Sequence, residues 1–260
     1  MNIISQSIGV LIPMLIVGAV FWIISLIKKD VSVVDSLWSL FFIIAALAVV
    51  NELAVISDRA KLVLLLVIIW GLRLSAYITL RHWGHEEDHR YQTIRKNNQP
   101  GFAFKSLYMI FVFQALVAWV VALPLFYAMN STAPLTLLDG LAVLLWLVGM
   151  FFEIVSDYQL YQFKKNPDNK GKILTQGLWK YSRHPNYFGE FSVWWGFFVF
   201  SLSNDGYISI ISPLLMTFLL LKFSGVSLLE KTMKARPGYE LYMKNTNAFI
   251  PGAANKQGKL

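Results

Sequence analysis

A chain of 260 residues that is 56% hydrophobic and only 15% charged, with a mean hydropathy of +0.54, is too apolar for a water-soluble globule and reads as an integral membrane protein. The absence of cysteine excludes disulfides, iron–sulfur clusters, thiolate zinc sites and cysteine nucleophiles. The formal charge of +8, from 23 Lys and Arg against 15 Asp and Glu, has topology as its first explanation in such a chain.

A helix needs about 20 apolar residues to cross ~30 Å of hydrocarbon. On that criterion the sequence predicts an all-α, polytopic protein with seven transmembrane helices, at 8–27, 31–50, 62–80, 107–128, 137–155, 188–202 and 208–223. The first lacks a positive leader and a small-residue cleavage site, so no cleavable signal peptide is expected. The fifth continues beyond the bilayer through Tyr158, Tyr161 and Phe163 to Lys164 and Lys165. The sixth is short and is expected to open within Pro185, Asn186 and Tyr187, where proline suits the first turn. Residues 1–260 read as one membrane-embedded domain, with a flexible polar tail over 251–260.

Twenty of the Lys and Arg fall on the side of residues 28–30, 81–105, 164–183 and 222 onward. Only Arg59 and Lys61 fall on the other side, and Arg73 lies inside the third span. This imbalance predicts an outside N-terminus, a cytoplasmic C-terminus and long loops that face the cytoplasm. The positive charge is thereby accounted for, and nucleic acid is not expected as a partner.

Ionisable groups inside spans cost about 2.5–3.5 kcal/mol each at the bilayer centre and need a partner, a cavity or a function. Asp35 lies one turn into the second span and Arg73 two turns from the end of the third. Glu153 and Asp157 share a face of the fifth helix, and Glu190 opens the sixth. All lie toward the cytoplasmic leaflet and predict a cavity open to that side. A structural ion pair between Asp35 and Arg73 is an equal alternative, and a solvated helix end is the plain alternative for Glu153 and Asp157. The segment from His82 to His89 carries three of the four histidines, too few for a di-iron site, so no metal is predicted. Arg81, Arg90 and Arg95 there read instead as phosphate-binding cations. The most specific stretch runs from Gly177 to Glu190, a turn with Arg183 and His184 feeding a helix with Asn186, Tyr187 and Glu190. Such a helix start suits a phosphate or carboxylate, and its amide, phenol and carboxylate suit a ribose.

At this stretch the sequence resembles the superfamily of steroid 5α-reductases, sterol C14 and C7 reductases and, more distantly, isoprenylcysteine carboxyl methyltransferase, and most of all bacterial steroid 5α-reductase-like proteins. Val33-Val34-Asp35-Ser36-Leu37-Trp38, Trp70-Gly71-Leu72-Arg73-Leu74, Glu87-Asp88-His89-Arg90-Tyr91, Ser156-Asp157-Tyr158-Gln159-Leu160 and the stretch around Glu230, Tyr239, Tyr242 and Pro251 support it. The resemblance implies an NADPH-dependent oxidoreductase acting on an activated carbon–carbon double bond of a steroid-like or other lipid that enters from the membrane. By position, Tyr77, Arg81, Glu153, Asp157, Lys164, Tyr181, Arg183, Asn186 and Glu190 would line the cofactor, joined by His184 and Tyr187 of the same motif and by Arg90.

At the places of the superfamily's acid group, a Gln-Glu pair and a Tyr, this chain holds Val34-Asp35 and Trp70: Asp35 stands for the Glu, and neither the Gln nor the Tyr is present. Asp35 oriented by Arg73 is then the expected catalytic acid, since a carboxyl in an apolar pocket can act as a donor, with Tyr91 and Tyr77 as alternatives. The competing reading is an S-adenosylmethionine-dependent membrane methyltransferase. A third, a transporter, lacks polar residues in the outer half and an inverted repeat. No obligate protein partner is inferred.

Overall fold

The computed structural model describes residues 3–223 and 225–253, and all the regular structure there is helical. Ser224 and residues 254–260, which include most of the expected tail, lie outside the described residues. In chain order the helices are α1 (Ile3–Lys28), α2 (Val33–Glu52), α3 (Asp58–His82), α4 (His89–Asn97), α5 (Phe102–Val121), α6 (Leu123–Asn130), α7 (Leu137–Lys165), α8 (Pro185–Ser201), α9 (Gly206–Lys222), α10 (Val226–Met233) and α11 (Tyr239–Asn245). Among the described residues, α1, α2, α3, α5 and α7 are long and apolar enough to cross a membrane. The sixth and seventh predicted spans correspond to α8, of 17 residues, and to α9, which opens as a 3-10 helix and closes as a π-helix. Both are shorter than the five.

The fourth predicted span is displaced. Its helix starts at Phe102 rather than 107, because Lys105 is accommodated by directing its Nζ to the Asn98 carbonyl at 3.1 Å. It stops at Val121 rather than 128, and α6 restarts beyond it with Pro124 in the first turn, where a residue without an N–H is tolerated. α3 begins earlier than hydropathy alone suggests because Ser57 caps it, its hydroxyl accepting from the Ala60 N–H at 3.2 Å. α7 does run on to Lys165, well past its apolar stretch.

The chain divides into two compact units. The first reaches to Thr136 and takes back Phe200–Ser212; the second holds Leu137–Val199 and the described residues from Pro213 onward. In the first, α2 is the central helix, with Val34, Leu37, Phe41, Phe42, Ala45, Ala46 and Val49 fully buried. Phe42 meets Trp70 of α3 edge-on at 5.6 Å, and the Ser39 hydroxyl donates to the Gly71 carbonyl at 2.8 Å. The far end of this unit is closed by Arg59, which is fully buried although sequence places it in a loop. Its guanidinium donates to the Ser131 hydroxyl at 2.7 Å and to the Ala133 and Pro134 carbonyls at 3.0 and 2.8 Å. A buried guanidinium is tolerated because its donors are satisfied in this way.

In the second unit, α7 and α8 touch backbone to backbone. A Cβ on Gly189 would stand 2.6 Å from the Gly149 carbonyl oxygen, and one on Gly196 would stand 2.9 Å from that of Ala142. Small residues in this register let two apolar helices approach where side chains would hold them apart. The 177–183 turn lies against α7, with the Leu178 N–H donating to Gln159 Oε1 at 2.9 Å and the Trp179 indole donating to the Ser156 carbonyl at 3.2 Å. Gly177 makes this turn possible at φ +61°, where a side chain would be strained and would meet Gln159.

Candidate active site

The first polar group is built around the start of α2. The Val31 N–H donates to Glu87 Oε1 at 2.8 Å, and the Asp88 N–H donates to the Ser32 hydroxyl at 2.7 Å, so the loop before α4 is fastened to the segment before α2. Asp88 then caps α4 by accepting from the Arg90 N–H at 2.9 Å. This arrangement carries Arg90 and Tyr91 to Asp35. Arg90 Nη2 donates to Asp35 Oδ2 at 2.6 Å, its Nε donates to Asp88 Oδ1 at 2.9 Å, and the Tyr91 hydroxyl donates to Asp35 Oδ1 at 2.5 Å. Gln114 Nε2 of α5 in turn donates to the Tyr91 oxygen at 3.3 Å.

Burial of Tyr91, followed by the negative charge of Asp35, pushes its phenol well above the usual tyrosine range, so it stays protonated at any physiological pH. Burial works against the charge on Arg90, but Asp35 and Asp88 outweigh it and raise the guanidinium. For Asp88, burial raises the carboxyl and hydrogen bonds from Arg90 overcome it, leaving it below the ordinary range. The guanidinium on Asp35 is thus that of Arg90, where sequence placed Arg73. Arg73 lies over the ring of Tyr77, 5.6 Å from its centroid, and Arg81 lies at the same distance one turn further on. These three form a cation–ring–cation column on α3.

The second polar group lies in the other unit, where α7 and α8 cross. Glu153, Asp157 and Glu190 are 2%, 4% and 6% exposed. Asn186 Nδ2 donates to Asp157 Oδ1 at 3.4 Å, and the Trp194 indole donates to Glu190 Oε1 at 3.2 Å. Lys164 and Tyr181 are exposed, with Lys180 5.9 Å from the ring of Tyr181. His184 stacks on Tyr187 with ring centroids 5.4 Å apart. Burial pushes its imidazole down to about 4 against the opposing pull of Glu230, so its 3.4 Å approach to Glu230 Oε1 is not an ion pair at neutral pH.

Arg183, expected to face a phosphate, is 8% exposed and turned inward. Its Nε donates to Glu230 Oε1 at 2.8 Å, and its Nη1 donates to the carbonyls of Met243 and Thr246 at 3.1 and 2.5 Å. Two functional candidates were not legible beforehand. Gln114 carried one faint signal, an amide alone in an apolar run, and Glu230 stood in a basic tail without an assignable partner. Among the described residues no cluster of three His, Asp or Glu is placed to hold a metal.

Several proteins share parts of this sequence. An uncharacterized protein of Schizosaccharomyces pombe is 26% identical over 275 residues, covering 91% of this chain and 77% of its own. The 3-oxo-5-alpha-steroid 4-dehydrogenase 1 of Mus musculus is 35% identical over 107 residues, which is 41% of this chain and 39% of that protein. A probable O-methyltransferase of Ustilaginoidea virens is 45% identical over 51 residues, 20% of this chain and 18% of its own. The last two matches thus span well under half of each relative. No solved structure matches. The partial likeness of this chain to the steroid 4-dehydrogenases fits the steroid 5α-reductase-like superfamily, and the model of one family, described as protein of unknown function (DUF1295), matches residues 21–246, so the chain belongs to that family.

Proposed function

We propose that this protein is an NADPH-dependent reductase of an activated carbon–carbon double bond in a steroid-like or other membrane lipid. In this reading the chain crosses the inner membrane seven times, α8 and α9 included, with its N-terminus outside and its site open to the cytoplasm. The likeness to the steroid 4-dehydrogenases supports the class of reaction. The observation that carries the chemistry is the Tyr91 hydroxyl, protonated, buried and held between Asp35 and Gln114.

The residues present fit a nicotinamide dinucleotide. Buried Glu153, Asp157 and Glu190 with Asn186 make an acceptor-rich set suited to ribose hydroxyls and a carboxamide, and too negative for phosphates. The phosphates would fall to a cation of the same unit, the exposed Lys164. When bound, NADPH supplies a hydride. The work of this chain is to supply a proton: the Tyr91 hydroxyl, which donates to Asp35 in this structure, would turn to the oxygen of a conjugated carbonyl, so that charge arriving there is met by a donor. Gln114 and Asp35 hold the Tyr91 side chain in place, and Arg90 balances the charge of Asp35. Asp35, in contact with Tyr91, and Arg73 remain catalytic candidates. The runner-up is methyl transfer from S-adenosylmethionine, favoured by the partial match to the O-methyltransferase.

Melting the detergent-purified protein with NADPH, NADH or S-adenosylmethionine separates these readings, because a ligand of the folded state raises the midpoint by mass action. NADPH should raise it most, and Tyr91→Phe should keep that shift while losing turnover of an enone lipid. A shift with S-adenosylmethionine alone would replace reduction by methyl transfer.

A further inference from the structure

The stretch 179–183 is held from outside its own helix. The Tyr242 hydroxyl donates to the Trp179 carbonyl at 2.5 Å, the Arg183 N–H donates to the Asn247 carbonyl at 2.9 Å, and the Gly252 N–H donates to the Tyr181 carbonyl at 3.0 Å. The Ser182 hydroxyl donates to the Phe249 carbonyl at 2.7 Å, and the Phe249 ring stands edge-on to Phe188 and Phe191 at 6.2 and 5.5 Å. The Arg183 guanidinium sits where these strands of contact meet. Nε and Nη2 are taken by Glu230 at 2.8 and 2.6 Å, and Nη1 holds the last carbonyls of α11. A cation there also complements the negative end of a helix. Little of its donor set is left to point at a ligand.

We infer that Arg183 is a positioning residue: paired with Glu230, it clamps the C-terminal segment from Tyr239 to Gly252 onto the 179–183 turn, and so sets the start of α8 that carries Asn186 and Glu190. The inference rests on the NADPH reading only for its functional consequence. The clamp itself is a property of the second unit. Removing any member should release the segment and misplace the start of α8, whichever charge is lost. A direct phosphate contact behaves differently, since only loss of the cation matters and lysine partly replaces it.

The test uses the full chain in detergent, with NADPH affinity and the rate of tryptic cleavage after Lys244 read on the same samples. Arg183→Ala, Glu230→Gln and Tyr242→Phe should each speed cleavage and weaken NADPH by about tenfold, the scale of one lost charge-assisted bond. The Arg183→Ala, Glu230→Gln double variant should be no weaker than either single change, because both break one clamp. Arg183→Lys should fail to restore either readout. The inference is overturned if Arg183→Ala weakens NADPH while Glu230→Gln and Tyr242→Phe leave affinity and cleavage unchanged, or if Arg183→Lys rescues affinity. Tyr242→Phe guards against misfolding, since it removes one hydroxyl and no charge. Should wild-type protein bind no NADPH, the functional reading falls, and faster cleavage in the variants would still uphold the clamp.

Discussion

His184 shows what burial does to a single side chain in this molecule. Its folded-state pKa of about 4 lies below the ordinary 6.5, so between those values a proton binds the unfolded chain and not the folded one. The stabilisation from keeping it neutral is therefore complete above about pH 6.5 and is lost as the pH falls toward 4. At 1.4 kcal/mol per pH unit the loss is on the order of 3 kcal/mol. His184→Phe keeps a ring to stack on Tyr187 and removes the titration, so its melting midpoint should fall less than that of the wild type between pH 6.5 and 4.5. Parallel curves would show that His184 does not govern the acid sensitivity of the second unit. At this scale the residue types were legible and the pairings were not. Asp35 and Arg73 stand at similar depths, yet Arg90 reaches Asp35, because α4 is capped by Asp88 and the loop before it is fastened to α2.

At the scale of elements, the crossing of α7 and α8 depends on three glycines whose absent side chains decide the distance between the helices. Gly189→Ala would place a Cβ 2.6 Å from the Gly149 oxygen and should destabilise the protein by about 1–3 kcal/mol or more through forced separation. Gly140→Ala, on α7 with nothing within 4 Å of the new Cβ, should be neutral or stabilise by about 0.5–1 kcal/mol from helix propensity. Equal melting points for the two variants would remove the close approach as a cause. Helices of high and uninterrupted apolarity were plain in the sequence. Their ends were less so, because caps and prolines rather than hydropathy set them: Ser57 extends α3 backward, and the break at Ala122 before Pro124 divides a predicted single span into α5 and α6.

Across the whole molecule, the absence of native cysteine makes topology directly measurable. Lys61, Lys96, Thr132 and Lys172 are all exposed, so a thiol placed at any of them is open to a reagent. Single Lys61→Cys and Thr132→Cys variants should react with an impermeant thiol reagent from outside intact cells. The Lys96→Cys and Lys172→Cys variants should react only after permeabilisation, as the seven-span, cytoplasmic C-terminus reading requires. Labelling of Lys61→Cys and Lys172→Cys from one and the same face would exclude that reading.

Composition by itself determined the environment of this protein, because 56% hydrophobic residues and long apolar helices leave lipid as the only solvent that does not penalise them. The run from Gly177 to Glu190 likewise marked its family before any helix was placed. Tertiary structure alone decided which charges meet. A guanidinium carries no record in sequence of which carboxylate it will find, so Arg183 looks outward on paper and is drawn inward by Glu230 and the end of α11. Arg59, written as a loop residue, is buried for the same reason, since the carbonyls that satisfy it come from residues more than 70 positions away. Burial of a charge is decided by the partners that the fold delivers, and those partners come from distant parts of the chain.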